Sequence, residues 1–209
     1  MERRELLKMI ALATGGVLIG GELLMSGCKN PPALGGATFS DQDISFLDEV
    51  AETILPRTST PGAKDAGVGR FMTVQVNDCY TKEDQDVFHA GIRKLNDASK
   101  EMFNKDFLDA TAEERTQLLG QLDKEAKEHQ KKKQEKDWQI KDAKSKDPES
   151  EGAKEQPLPN HYFTQMKQLT LFGFFTSEKG SKEVLRHVAV PGKYNGALPY
   201  KKGDRAWAE

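Results

Sequence analysis

FSDQDISFLDEVAETILPRTSTPGAKDAGV, residues 39–68, is the stretch on which the fold is read. Ser40 is the natural N-cap of a helix, and Asp43 stands at the third helical position, a capping-box-like pair. Phe39 and Ile44 have the spacing of a hydrophobic staple. Ile44, Leu47, Val50, Ala51 and Ile54 then recur with the 3.6-residue period of a helix with one buried face. Pro56 ends that helix near Leu55, because proline lacks an N–H and its ring blocks the preceding turn. Leu55 to Ala63 is therefore a loop framed by two prolines. Within it, Gly62 is expected to permit a turn that other residues resist.

Outward from this stretch the same period repeats. A second helix is expected from Ala66 to Cys79, with Phe71, Val74, Val76 and Cys79 on its apolar side. That side is expected to bury Cys79. A third, capped by Thr81, runs from Lys82 to Phe103 with Val87, Gly91, Ile92, Leu95 and Met102 inward. A fourth opens at Thr111, where Thr-Ala-Glu-Glu is a capping box, and Leu118, Leu119, Leu122 and Ala126 form its stripe. From Lys124 to Glu155 apolar residues nearly vanish and Lys, Glu, Asp and Gln alternate with balanced sign. Helix is expected to about Lys144 and disorder from there to Gln156, a solvated insertion.

Pro157-Leu158-Pro159 marks re-entry. A fifth helix, from His161 to Phe175, is dense in Phe, Leu and Met and is the expected central core helix. Its run Phe172, Phe174, Phe175 is read as core in preference to interface. A sixth, capped by Thr176 or Ser177, ends near His187, and a turn-rich arm leads to Trp207. The fold class is all-α: an irregular helical domain of five to six helices over 39–209, with the charged insertion at about 124–156 and an extended C-terminal arm.

The N-terminus has a different character. Arg3 and Arg4 precede Leu6, Leu7 and Lys8, and an apolar, glycine-rich run follows from Met9 to Leu24. This pattern resembles a twin-arginine export signal. The run is shorter than the ~20 strongly apolar residues of a membrane span, and Glu22 interrupts it. Ser26-Gly27-Cys28 ends the segment as a lipidation site does, although Met25 stands where Leu, Val or Ile is usual. Residues 1–28 are read as signal, Cys28 as the lipid attachment point and 29–38 as a Pro/Gly linker. Two other readings stand beside this one: an amphipathic helix, and a signal cut without lipidation or kept as an anchor. The expected location is the periplasm, anchored at the membrane.

Charge and motifs narrow the function. The 209 residues carry a net charge of −2, with 31% charged residues, so there is no bulk attraction to nucleic acid. No glycine-rich phosphate loop is present. The two cysteines, Cys28 and Cys79, cannot hold an iron–sulfur cluster or a structural zinc. No Cys-x-x-Cys-His for haem occurs. His89, His129, His161 and His187 are scattered one to a helix, and neither Ser59 nor Ser177 sits in a nucleophile motif. No catalytic, cofactor-binding or metal-binding residue is assigned, which favours a helper or structural role.

Residues 51–68, AETILPRTSTPGAKDAGV, resemble the start of the gluconate 2-dehydrogenase subunit 3 family. Residues 173–178, 190–196 and Ala206-Trp207 resemble its end. The resemblance implies a non-catalytic small subunit, holding no cofactor itself, beside a large FAD-bearing dehydrogenase of the glucose–methanol–choline type. It also implies a cytochrome c as electron acceptor. The folded pair would then be exported through the twin-arginine translocase on this chain's signal. The family often has a cysteine in the turn where this chain has Ala197, so a disulfide through that turn is excluded. Under this reading Pro56, Arg57, Thr58, Thr60, Pro61 and Gly62 present the partner interface, with a proline-stiffened structural connector as the equal alternative. The competing function is a stand-alone envelope lipoprotein that binds protein or polymer.

Overall fold

The computed structural model describes residues 39–190, 192 and 195–208. The chain divides into two compact units, Met1–Ser40 and Asp41–Glu209. Arg3, Arg4, Leu6, Leu7, Lys8, Cys28 and the linker 29–38 lie outside the described residues. The second unit is all-α: α1 (Asp41–Ile54), α2 (Val68–Cys79), α3 (Lys82–Phe103), α4 (Ala112–Lys146), α5 (Glu151–Lys154) and α6 (Tyr162–Thr176). Short 3-10 turns precede α2 and α4 at Lys64–Ala66 and Phe107–Asp109.

Local chemistry sets most helix ends. The Leu55 N–H still bonds to the Ala51 carbonyl at 2.9 Å, and Pro56 then stops α1. Gly67, at φ 67°, makes the left-handed turn into α2. Thr81 caps α3, accepting from the Asp84 N–H, and Asn104 closes it at φ 56°. At α4 the Thr111 hydroxyl accepts from the Glu114 N–H at 3.3 Å, and the Glu114 carboxylate accepts from the Thr111 N–H at 2.7 Å. This is the reciprocal box the sequence predicts. The His161 Nδ1 caps α6 by accepting from the Phe163 N–H at 3.3 Å.

Helix α6 is the hub, packing against α1, α2, α3 and α4. Phe163, Met166, Leu169, Thr170 and Phe174 are buried on it. Leu47 and Val50 of α1, Met72 and Val76 of α2, Phe88 and Leu95 of α3, and Leu118 and Leu122 of α4 complete the core. Two glycines set the helix approach. A Cβ on Gly91 would lie 2.5 Å from the Tyr162 Cβ, and one on Gly173 would lie 2.5 Å from the Phe71 ring.

Several expectations shift. On α1 Phe46 is buried and Ile44 only half so, a rotation of the apolar face. On α2 the buried set is Val68, Gly69, Met72, Thr73 and Val76, one i,i+4 stripe. Val74 falls outside that stripe and is exposed; Cys79 lies at the angle of the stripe but is the last residue of α2, and it is exposed rather than buried. On α3 Phe88 and Ser99 are buried, while Val87 and Met102 are half-buried.

The charged segment is not disordered beyond Lys144. Helix α4 continues to Lys146, its 35 residues spanning roughly 50 Å. The chain turns, and α5 folds back against α4. Ile140 and Ala153 are both buried, in a segment otherwise charged. Lys136 reaches Glu155 at 3.2 Å, and the Lys133 ammonium donates to the Leu158 carbonyl at 2.6 Å. The return is held by two apolar side chains and a few ionic contacts, too sparse a pattern for periodicity to reveal.

After α6 the Ser177 hydroxyl accepts from the Gly180 N–H at 2.9 Å. The following turn is a π-helix, Gly180–Val184, so helical structure stops short of His187. Arg186 then pairs in an isolated parallel bridge with Trp207, and its guanidinium lies 4.2 Å from the indole centroid.

Candidate functional site

The loop between α1 and α2 is built around the carboxylates of α1. Glu52 accepts from the Arg57 N–H at 2.8 Å and from the Lys64 N–H at 2.9 Å. Asp65 accepts from the Arg57 Nε at 2.7 Å and from the Gly62 N–H at 2.9 Å. Asp48 accepts from the Gly69 N–H at 2.8 Å. Backbone bonds run from the Ala63 N–H to the Leu55 carbonyl at 2.9 Å and from the Thr58 N–H to the Thr60 carbonyl at 3.0 Å. One turn back on α1, Glu49 binds the Lys64 ammonium and, at 2.5 Å, the Arg115 guanidinium of α4. Arg115 also donates to the Phe107 and Leu108 carbonyls.

Electrostatics follow these contacts. The Gly62 N–H, aided by Arg57, holds the Asp65 carboxyl below its usual range. Burial opposes charge on Glu49, yet Lys64 and Arg115 outweigh it and bring its carboxyl below the ordinary value. Asp48 goes the other way, pushed up by burial despite the Gly69 N–H.

Of the residues assigned to a partner interface from sequence, Pro56, Arg57 and Thr58 are exposed, Thr60 and Pro61 are half-buried, and Gly62 is buried. The structure corrects the role of Gly62. Among the described glycines the left-handed ones are Gly67, Gly192 and Gly203. What Gly62 supplies is close approach: a Cβ there would collide with both Glu52 carboxylate oxygens and lie 2.6 Å from the Arg57 nitrogen.

A second surface was not assigned from sequence. Phe172 is 52% exposed, Phe175 39% and Val74 53%. Of the aromatic run read as core, only Phe174 is buried. The Phe71 and Phe172 rings meet edge-on at 5.6 Å, joining α2 to α6. Positions 71 and 74, and 172 and 175, are each three apart on their helices and so share a side. The signal available in the sequence was excess: Leu171 to Phe175 has more large apolar side chains than one buried face of a helix can hold.

Two histidines meet where the core joins the charged arm. The His129 and His161 rings are 5.6 Å apart, and His161 stacks on Tyr162 at 4.6 Å. Burial, with His129 and Lys94 nearby, lowers the pKa of His161. Tyr162 is pushed up to about 12, first by burial and then by Glu125. Among the described residues, no group of three or more His, Cys, Asp or Glu side chains could hold a metal ion. No described helix is long and apolar enough to cross a membrane.

Among the described residues, a braced interhelical loop and an exposed aromatic face on a central helix define a small all-α protein with an apolar surface patch. The gluconate 2-dehydrogenase subunit 3 family model matches residues 41–192, most of the chain, and the protein belongs to that family. Its family therefore places it among dehydrogenase subunits. No curated protein and no solved structure matches the chain.

Proposed function

We propose that this protein is the non-catalytic small subunit of a periplasmic, membrane-associated dehydrogenase for a sugar or sugar acid. The observation that carries the reading is the family match over residues 41–192. The catalytic partner is a large flavoprotein of the glucose–methanol–choline type, and FAD belongs to that partner. This chain has no glycine-rich phosphate loop with which to bind it. Electrons leave through a cytochrome c.

The twin arginines Arg3 and Arg4 export the assembled pair through the twin-arginine translocase. Flavin is acquired in the cytoplasm, so a route for folded protein is required. Cys28 carries the lipid that keeps the pair at the membrane, and the α-helical unit stabilises the catalytic subunit.

Replacing Arg3 and Arg4 with lysine tests the export role. Dye-linked sugar oxidation is expected to move from the periplasmic to the cytoplasmic fraction together with the flavoprotein. Unchanged periplasmic activity would remove the export role. A monomeric, colourless chain from native membranes, with no flavoprotein attached, would sink the proposal as a whole.

A further inference from the structure

Two surfaces compete for the contact with the catalytic subunit: the Leu55–Gly67 loop and the exposed face of α2 and α6. Much of the loop's polar bonding is internal. The Arg57 guanidinium is bound to Asp65, its N–H to Glu52, and the Lys64 N–H to the other Glu52 oxygen. The Asp65 carboxylate engages the Arg57 Nε and the side chain stays 66% exposed, so the loop offers polar donors to a partner but no apolar anchor.

The α2–α6 face has the opposite character. Its centre is apolar: no charged side chain occurs from Phe71 to Asn77 on α2 or from Leu169 to Thr176 on α6, and the exposed Arg70 and Asp78, one turn before and after Val74, stand at its rim. It is also rigid. Gly173 lets the Phe71 ring rest on the α6 backbone, and that ring in turn fixes Phe172 edge-on at 5.6 Å. Aromatic side chains already held in place lose little freedom on binding, and aromatics are the residues that anchor protein interfaces. Water alone is a poor neighbour for this surface. An apolar centre with one basic and one acidic residue at its rim has no net positive charge for an anionic lipid headgroup or nucleic acid and fits a protein surface. The family to which the chain belongs is defined as a dehydrogenase subunit, which supplies such a partner.

We infer that the catalytic subunit docks on the face formed by Phe71 and Val74 of α2 and Phe172 and Phe175 of α6, with Leu171 at its edge. The Leu55–Gly67 loop is a brace for this domain and not the contact. The assignment rests on the subunit reading above.

The test uses the affinity-tagged full chain purified from native membranes. The wild type is compared with Val74→Glu, Phe172→Ser and the loop pair Arg57→Ala/Thr58→Ala. The wild type is expected to bring down a flavin-bearing subunit with dye-linked sugar oxidation. Val74→Glu is expected to lower that yield about tenfold or more, since a charge would be forced into an apolar contact. Phe172→Ser should act in the same direction. Both face variants should keep the wild-type circular dichroism spectrum, and the loop pair should keep the full yield of flavoprotein.

Retention of the flavoprotein by both folded face variants would overturn the assignment, as would its loss from a folded loop pair. If the wild type self-associates through this face in size-exclusion chromatography and Val74→Glu abolishes that, the occupant is a second copy and the assignment falls. If the wild type brings down no flavoprotein, the subunit reading fails first.

Discussion

Glu52→Ala should loosen the α1–α2 loop without unfolding the domain. The Glu52 carboxylate accepts two backbone N–H bonds, from Arg57 at 2.8 Å and Lys64 at 2.9 Å. Hydrogen bonds to a charged group contribute about 1.5–3 kcal/mol each when shielded. Both bonds here are exposed, so water can take over each N–H once the carboxylate is gone. The expected loss is therefore about 2 kcal/mol in total and not the ~3–6 kcal/mol of two shielded bonds. For a domain of this size that corresponds to a fall in Tm of about 4–8 °C.

Far-UV circular dichroism melting reads the change, and amide hydrogen exchange at Arg57 and Lys64 should accelerate selectively. Gly62 supplies an internal control, because its missing Cβ is the space the Glu52 carboxylate fills. Gly62→Ala should be destabilising in the wild type and less so in the Glu52→Ala background. The coupling should be about 0.5–1 kcal/mol, as for residues in direct contact. A Glu52→Ala protein that melts within about 1 °C of wild type, with unchanged exchange at both amides, would refute the reasoning.

Three further predictions follow from the packing and the charges. Gly91→Ala drives a methyl against the Tyr162 side chain where α3 and α6 cross, and should cost about 1–3 kcal/mol, measured by chemical denaturation. His161 titrates below its ordinary value through burial, then His129 and Lys94. The unfolded chain therefore takes up this proton first: the stability is fully present above about pH 6.5 and is lost as pH falls below that toward the folded value. Protonation also removes the Nδ1 acceptor that caps α6, so His161→Asn, which can still cap but not titrate, should flatten the slope of Tm against pH in this window. Replacing residues 137–154 with a short Gly-Ser linker should leave one cooperative melt within a few degrees of the full chain's, because the Lys136–Glu155 ion pair already holds the cut ends together. A melt that loses its cooperativity would mean the arm is part of the core.

How much was legible depended on the range over which each feature is decided. The capping box at Thr111 and Glu114, the Thr81 cap and the stop at Pro56 are settled within about one helical turn, and all appear in the structure where the residues predicted them. The Leu118, Leu119, Leu122, Ala126 stripe was equally visible, because one face of that helix is apolar and the other is not. The choice of α6 as the core helix came from its density of large apolar residues, which the packing bears out.

Burial was the harder question where a helix carries apolar residues on more than one side. Val76 continues the i,i+4 stripe of Val68 and Met72 and Val74 does not, so that pair could be separated by period. Phe174 and Phe172 sit in a run apolar on nearly every side, and they are separated by the neighbour that covers one of them, which comes from elsewhere in the chain. The same holds for the candidate site. Arg57 and Gly62 could be picked out as features of a stiff loop. That Arg57 is held by Asp65, and that Gly62 makes room for Glu52, required the loop to close back over α1. The order of residues was enough for an all-α chain, for the caps and stops set within one turn, and for the helix at the centre; the return of α5 and the early end after α6 were not in it. Packing settled which rings of α6 remain outside and which polar groups of the loop are engaged, because such exposure and pairing belong to assembled helices and not to any one of them.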